Sequence, residues 1–263
     1  MRYRLADDAR PQMTLLIAAT VLTIALWFIP YADYLVYPIR LFVTFVHEGS
    51  HALVGFLTGG SVHSLTIGAD GSGAVYSVPS GWLGAILTSS AGYLGTTAFG
   101  VLLLYLIRRV VSASKILIAS GAFVGVMTLI FGILSPIFNI FSLQVGFTNL
   151  VFTVLAGTVL TAGLIALGKY ASEKTANFAV AFLAVQCLLN SLGDLKTLFF
   201  INAPFSGSEI GNDAVNMANA TGLPAFAWVV IWIGVSMLMI SVGLRLYAVS
   251  RNNTKQNDLP FAD

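Results

Sequence analysis

The sequence predicts an all-α, polytopic membrane protein of about six to seven transmembrane helices, with one small β-hairpin at the membrane interface. Three observations carry that expectation. Apolar residues make up 57% of the 263-residue chain and charged residues only 9%, against about 25% charged in a soluble domain. Apolar windows of about twenty residues, the length that crosses a hydrocarbon core, recur along the chain. One stretch, 61–78, breaks that pattern with two short β-prone runs around an Asp-Gly turn. The chain reads as a single integral membrane unit over 1–263, with 61–78 as an insertion and 249–263 as a polar C-terminal tail. A net charge of +2 gives no sign of nucleic-acid binding. The lone Cys187 excludes an intrachain disulfide framework.

The first span runs from Met13 to Phe28, before Pro30, and reads as a retained helix because no small-residue cleavage site follows it. The second covers about Leu35 to Leu57. Next comes the insertion, in which Val62 and Ser64–Ile67 precede Gly68-Ala69-Asp70-Gly71-Ser72-Gly73, and Ala74–Tyr76 follow. Unpaired backbone is intolerable in lipid, so this hairpin must sit at the interface or against protein. Its glycines do not open a helix and are turn residues rather than a nucleotide loop. The third span is Trp82 to Ile107, the fourth Ile116 to Leu134, and the fifth about Leu150 to Leu167. The sixth is Phe178 to Ile201, and the seventh Ala225 to Tyr247. Ile137 to Thr148 is apolar but too short to cross, so it either re-enters or extends the fifth helix.

The second span holds His47-Glu48-Gly49-Ser50-His51; the chain's other histidine is His63. On a helix this H-E-x-x-H spacing sets two imidazoles one turn apart on one face, where they can bind a Zn²⁺, with the glutamate beside them as general base. Ionisable groups inside an apolar span are costly and mark function. Such a site needs a third protein ligand and keeps a fourth position for water. Within the spans the remaining candidates are Glu48, Cys187 and Asp194. Glu48 points off the histidine face and is better used as the base. Cys187 lies about 10 Å along the axis from Asp194, too far to share the ion. Asp194 is therefore the expected ligand. His51 lies eight residues before Gly59 and Asp194 eight before Asn202, which places both about 12 Å above the lower end of their helices. Asn190, one turn before Asp194, is the candidate for a polar catalytic contact, with a plain interhelical hydrogen bond as the alternative. His63 reads as a solvated hairpin residue, Gly92 and Gly95 as close-packing positions, and Tyr93 as an anchor or core residue.

The run from His47 to Leu53, then Leu57-Thr58-Gly59-Gly60, Asp70-Gly71-Ser72-Gly73 and Ala91-Gly92-Tyr93-Leu94-Gly95, resembles the site-2 protease clan of intramembrane zinc metallopeptidases, in its B-like branch (peptidase family M50). The resemblance covers about Leu41 to Leu104 well and Asn190 to Leu195 loosely. Between Asn190 and Asp194 there is no proline, and no glycine follows, unlike the clan's usual second motif. The resemblance implies a zinc site on transmembrane helices, with His47, His51 and Asp194 as ligands and Glu48 as catalytic base. It also implies that the hairpin guides an extended, membrane-embedded peptide or protein substrate. The expected chemistry is peptide hydrolysis by zinc-activated water, its proton taken by Glu48.

Two other functions compete: an idle relative that binds transmembrane segments as a chaperone, and a metal or proton transporter. The intact Glu48 argues against the first. The absence of an internal repeat argues against the second. Orientation stays open. Lys and Arg cluster in the loops opposite the site end (Arg108, Arg109, Lys115, Lys169, Lys174), which turns that end away from the cytoplasm, whereas sites of the clan usually open toward it.

Overall fold

Apolar segments buried in lipid have no water to satisfy their backbone, so they close their hydrogen bonds internally as helices. The computed structural model describes residues 10–26, 28–109, 111–142, 145–204 and 211–248; the expected polar tail 249–263 lies outside them. Its helices are α1 (Arg10–Leu26), α2 (Ala32–Leu57), α3 (Gly81–Arg108), α4 (Ala113–Met127), α5 (Ser135–Phe138), α6 (Phe147–Tyr170), α7 (Glu173–Asn202), α8 (Asp213–Thr221) and α9 (Ala225–Ala248). Strands β1 (Ser61–Ile67) and β2 (Gly73–Val78) stand between α2 and α3. Among the described residues, five helical runs are long and apolar enough to cross a membrane: α3, the continuous run Ala113–Phe138, α6, α7 and α9. The apolar part of α1, Met13–Leu26, is shorter. The chain is an integral, multi-pass membrane protein. α2 is 26 residues long but falls outside the five, because Arg40, Glu48 and the two histidines interrupt its apolar sequence.

The seven expected spans each fall on helix, five of them on the runs long and apolar enough to cross. Ile137–Thr148 divides between neighbours: its start ends α5, a short 3₁₀ turn covers Ile140–Ser142, and Phe147 opens α6. Between α4 and α5 the helix widens into a π-helical segment, Thr128–Leu134. The interior is built on α3, which packs against α2, α7 and α9, while α4 packs on α6 and α1 on α7. Small residues allow these approaches, as is usual where helices meet in membranes. Gly100 lies against Leu188 and Cys187 of α7, and Gly121 and Gly125 lie against Thr161 of α6.

The hairpin forms as expected, with β1 and β2 antiparallel and a bulge where His63 intervenes between the Val62–Ser77 and Ser64–Tyr76 pairs. Gly71 takes φ +83° in the turn, a conformation glycine adopts without cost. The carboxylate of Asp70 accepts from the Ser72 N–H (2.9 Å) and hydroxyl (2.6 Å). The hairpin does not lie flat across the helix ends. β1's seven residues extend about 23 Å and carry the turn back along α2. There Tyr37 Oη donates to the Ala69 carbonyl (2.6 Å) and Thr44 Oγ1 to that of Gly71 (3.0 Å). β1 is buried against α2, the π-helical segment and α6, and its Ile67 N–H donates to Thr153 Oγ1 at 2.7 Å. Of the two settings open to it, interface or protein, the hairpin packs against protein.

Candidate metal centre and cavity

The i, i+4 spacing of His47 and His51 on α2 brings their Nε2 atoms to 3.2 Å from each other. Both rings need the space that Gly92 of α3 leaves open, since a Cβ at that position would collide with both Nε2 atoms. His51 Nδ1 lies 2.6 Å from the carbonyl of Thr88. A carbonyl only accepts, so Nδ1 carries the proton and the Nε2 lone pair of neutral His51 faces the site. The ring of His47 stands edge-on to Tyr93 (4.7 Å between centroids), and Tyr93 stacks on Trp232 of α9 (5.6 Å). Ser191 of α7 donates to the Tyr93 carbonyl at 3.0 Å.

The carboxylate that joins the imidazoles is Asp213, rather than the expected Asp194. Asp213 Oδ2 is 3.3 Å from His51 Nε2 and 3.8 Å from His47 Nε2. Asp213 opens α8, which the sequence reading left inside a loop. Asn212 caps the helix, its Oδ1 accepting from the N–H groups of Ala214 (3.0 Å) and Val215 (3.2 Å). The helix is held down by Ala214 and Met217, fully buried in a cluster with Tyr93, Leu195, Leu198, Val229 and Trp232. The available signal was local: an Asn-Asp pair followed by apolar residues at i and i+3 marks a capped helix start. Restricting the search to spans passed over it.

His47, His51 and Asp213 offer three ligand atoms within 4.8 Å of one another, an arrangement able to hold a metal ion. Tetrahedral zinc with bonds of 2.0–2.1 Å sets its ligand atoms about 3.3 Å apart. The observed separations of 3.2, 3.3 and 3.8 Å fit that figure without rearrangement of the fold. Glu48 is buried (7% exposed) and borders the same cavity. A Cβ at Gly73 would press on its Cγ and Oε1, so the first residue of β2 lies directly on the glutamate.

Asp194 sits on an exposed position of α7, near enough to His47 and Arg40 to interact electrostatically, but outside the three-ligand group. Asn190 does not reach the cavity. Its Nδ2 donates to the Gln186 carbonyl (2.8 Å) and side-chain oxygen (3.0 Å), and Gln186 in turn donates to Thr23 of α1 (2.9 Å). Both of Asn190's own bonds stay within α7, and it is Gln186 that crosses to α1. Cys187 is fully buried and away from the site, and His63 lies against Tyr76 of the hairpin.

Around these residues opens a cavity of about 610 Å³. Gly73–Val75 and Ser77 of β2, with Pro79 just after it, border the cavity together with residues of α3 and α8; β2 packs on α2, and α8 on α3 and α9. Within the described residues β2 pairs only with β1, so its outer edge has no strand partner. The family model described as Peptidase M50B-like matches residues 16–243, which take in α2, the hairpin, α7 and α8. No curated protein and no solved structure matches the chain.

Proposed function

Because this chain belongs to the Peptidase M50B-like family, we propose that it is an intramembrane zinc endopeptidase that cleaves transmembrane or membrane-anchored protein segments. The observation that carries the reading is the convergence of His47, His51 and Asp213 beside the buried Glu48, in a cavity bordered by an unpaired strand edge. His47 Nε2, His51 Nε2 and Asp213 would hold the ion. Bound there, zinc supplies Lewis acidity, which acidifies water and polarises a peptide carbonyl.

Everything else falls to the chain's own groups. Glu48 accepts a proton from the attacking water and returns it to the leaving amine. Its burial, with Gly73 lying on it, holds its carboxylate beside the histidines. The Thr88 carbonyl orients His51 and keeps its Nε2 unprotonated. A helical substrate must unwind first, since its own hydrogen bonds shield the scissile carbonyl. The free edge of β2 offers the unwound segment replacement backbone partners by strand addition.

The test is zinc content of the detergent-purified protein together with cleavage of a reconstituted transmembrane peptide. The expected result is one zinc per chain in the wild type and in Glu48→Gln, with cleavage abolished in the latter. Loss of zinc is expected in His47→Ala and in Asp213→Ala. A wild-type protein that takes up no zinc on reconstitution would sink the peptidase reading. Retention of zinc in Asp213→Ala with loss in Asp194→Ala would return the third ligand to α7.

A further inference from the structure

α8 and its cap bring three asparagines to the cavity, and only the cap is used by the fold. Asn212, Asn216 and Asn219 all border the space beside His47 and His51. Asn212 caps the helix and faces the amide of Asn202. Asn216 and Asn219 are exposed, and their side chains have no hydrogen-bond partner among the described residues. Asparagine is a poor helix former, and α8 has only nine residues. Two carboxamides at i and i+3 thus weaken a short helix that carries a residue of the metal site, with no structural return.

Their spacing matches an extended chain. Residues three apart on a helix have Cβ atoms about 5–6 Å apart. Backbone groups on one edge of an extended strand repeat every second residue, about 6.6 Å. A carboxamide both donates and accepts, so it can satisfy either the N–H or the carbonyl of a peptide. A segment paired with β2 along one edge leaves its other edge without protein partners, so hydrogen bonds supplied there add to its affinity. α8 and β2 both border the cavity but rest on different helices, β2 on α2 and α8 on α3 and α9, so α8 offers polar groups that are separate from the strand edge.

We propose that Asn216 and Asn219 bind the outer backbone edge of the extended substrate, so that the peptide is held between β2 and α8. This rests on the endopeptidase reading for the identity of the ligand. The clamp recognises backbone rather than side chains, so it selects for segments able to unwind and is tolerant of sequence.

The test uses the full-length Glu48→Gln protein in liposomes and a fluorescent leucine–alanine transmembrane peptide with a central Gly-Gly-Ser-Gly segment. Binding is read by energy transfer, zinc by metal analysis and integrity by thermal unfolding. In Asn216→Leu and Asn219→Leu, affinity should fall about five- to tenfold each, with zinc content unchanged; Asn216→Gln should recover part of it. A peptide with the same length but an uninterrupted leucine–alanine helix should show no such dependence. Unchanged affinity in the Asn216→Leu/Asn219→Leu protein overturns the clamp, as does loss of zinc in either single variant, which would mean that the asparagines serve only the fold of α8. The two readings separate cleanly. A protein without zinc whose peptide binding still falls in both variants keeps the clamp and loses the peptidase. As a second readout, Asn219→Cys should form a disulfide with a cysteine in the peptide's central segment when copper-phenanthroline is added as oxidant, because Cys187 is fully buried and cannot compete. Failure to trap it counts against the clamp.

Discussion

A methyl group at position 92 would occupy the space taken by both imidazole Nε2 atoms. Gly92→Ala is therefore expected to abolish zinc binding while leaving the helical content intact, measured by metal analysis beside circular dichroism. Gly95, one turn along, meets Ser50 in the same way, but Ser50 is no ligand; Gly95→Ala should cost stability and spare the metal. The motif that sets these imidazoles is legible in sequence because it depends only on the 3.6-residue period of one helix. Glu48 was equally legible. The third carboxylate was not: the depth agreement between His51 and Asp194 is sound geometry for straight helices, but it says nothing about a loop that folds back.

At the scale of elements, α8 and the hairpin both border the site, and each has its own device for staying in place. For α8 the device is the Asn212 cap. Losing such a cap costs about 1 kcal/mol, so Asn212→Ala should weaken zinc binding about fivefold, read by chelator competition. For the hairpin it is the Asp70 turn. The Ser72 hydroxyl, then its N–H, hold the Asp70 carboxyl below its ordinary value of 3.8. A group whose folded pKa is depressed stabilises above its unfolded value and loses that contribution as pH falls through the folded one. The protection factor of the Ser72 amide, its exchange measured against the intrinsic rate at each pH, should therefore fall only below about pH 4, and Asp70→Ala should remove that pH dependence. Both elements were partly readable. The Asp-Gly turn announced the hairpin, but its path along α2, locked by Tyr37, Thr44 and Thr153, depends on three side chains distant in sequence.

Across the whole molecule, the site is braced by a polar junction of three helices. Thr97 Oγ1 of α3 lies 2.8 Å from Ser191 Oγ of α7 and 3.2 Å from Ser236 Oγ of α9, all buried. Ser191 also holds the carbonyl of Tyr93, whose ring meets His47. Interhelical hydrogen bonds of this kind contribute about 0.6–2 kcal/mol. Thr97→Val should lower the melting temperature by about 2–4 °C for each kcal/mol lost, a shift that differential scanning calorimetry in detergent would measure. Asn190 belongs to a similar junction with Gln186 and Thr23, joining α7 to α1. In the sequence it looked equally suited to a catalytic contact, since a carboxamide one turn from a carboxylate reads the same whichever way its helix is rotated.

By itself, the sequence determined the membrane-spanning segments, the hairpin between the second and third helices, and the His47, Glu48 and His51 triplet. Each follows from local rules: the length of an apolar run, the alternation of a strand around a turn, and the pitch of a helix. Only the tertiary structure decided that Asp213 faces the imidazoles, that Asp194 and Asn190 lie outside the cavity, and that the hairpin climbs α2 to rest on Glu48. Those outcomes depend on the rotation of α7 and on where the chain returns after it. Both are set by packing among Tyr93, Leu195, Met217 and Trp232, residues from four helices that no local pattern connects.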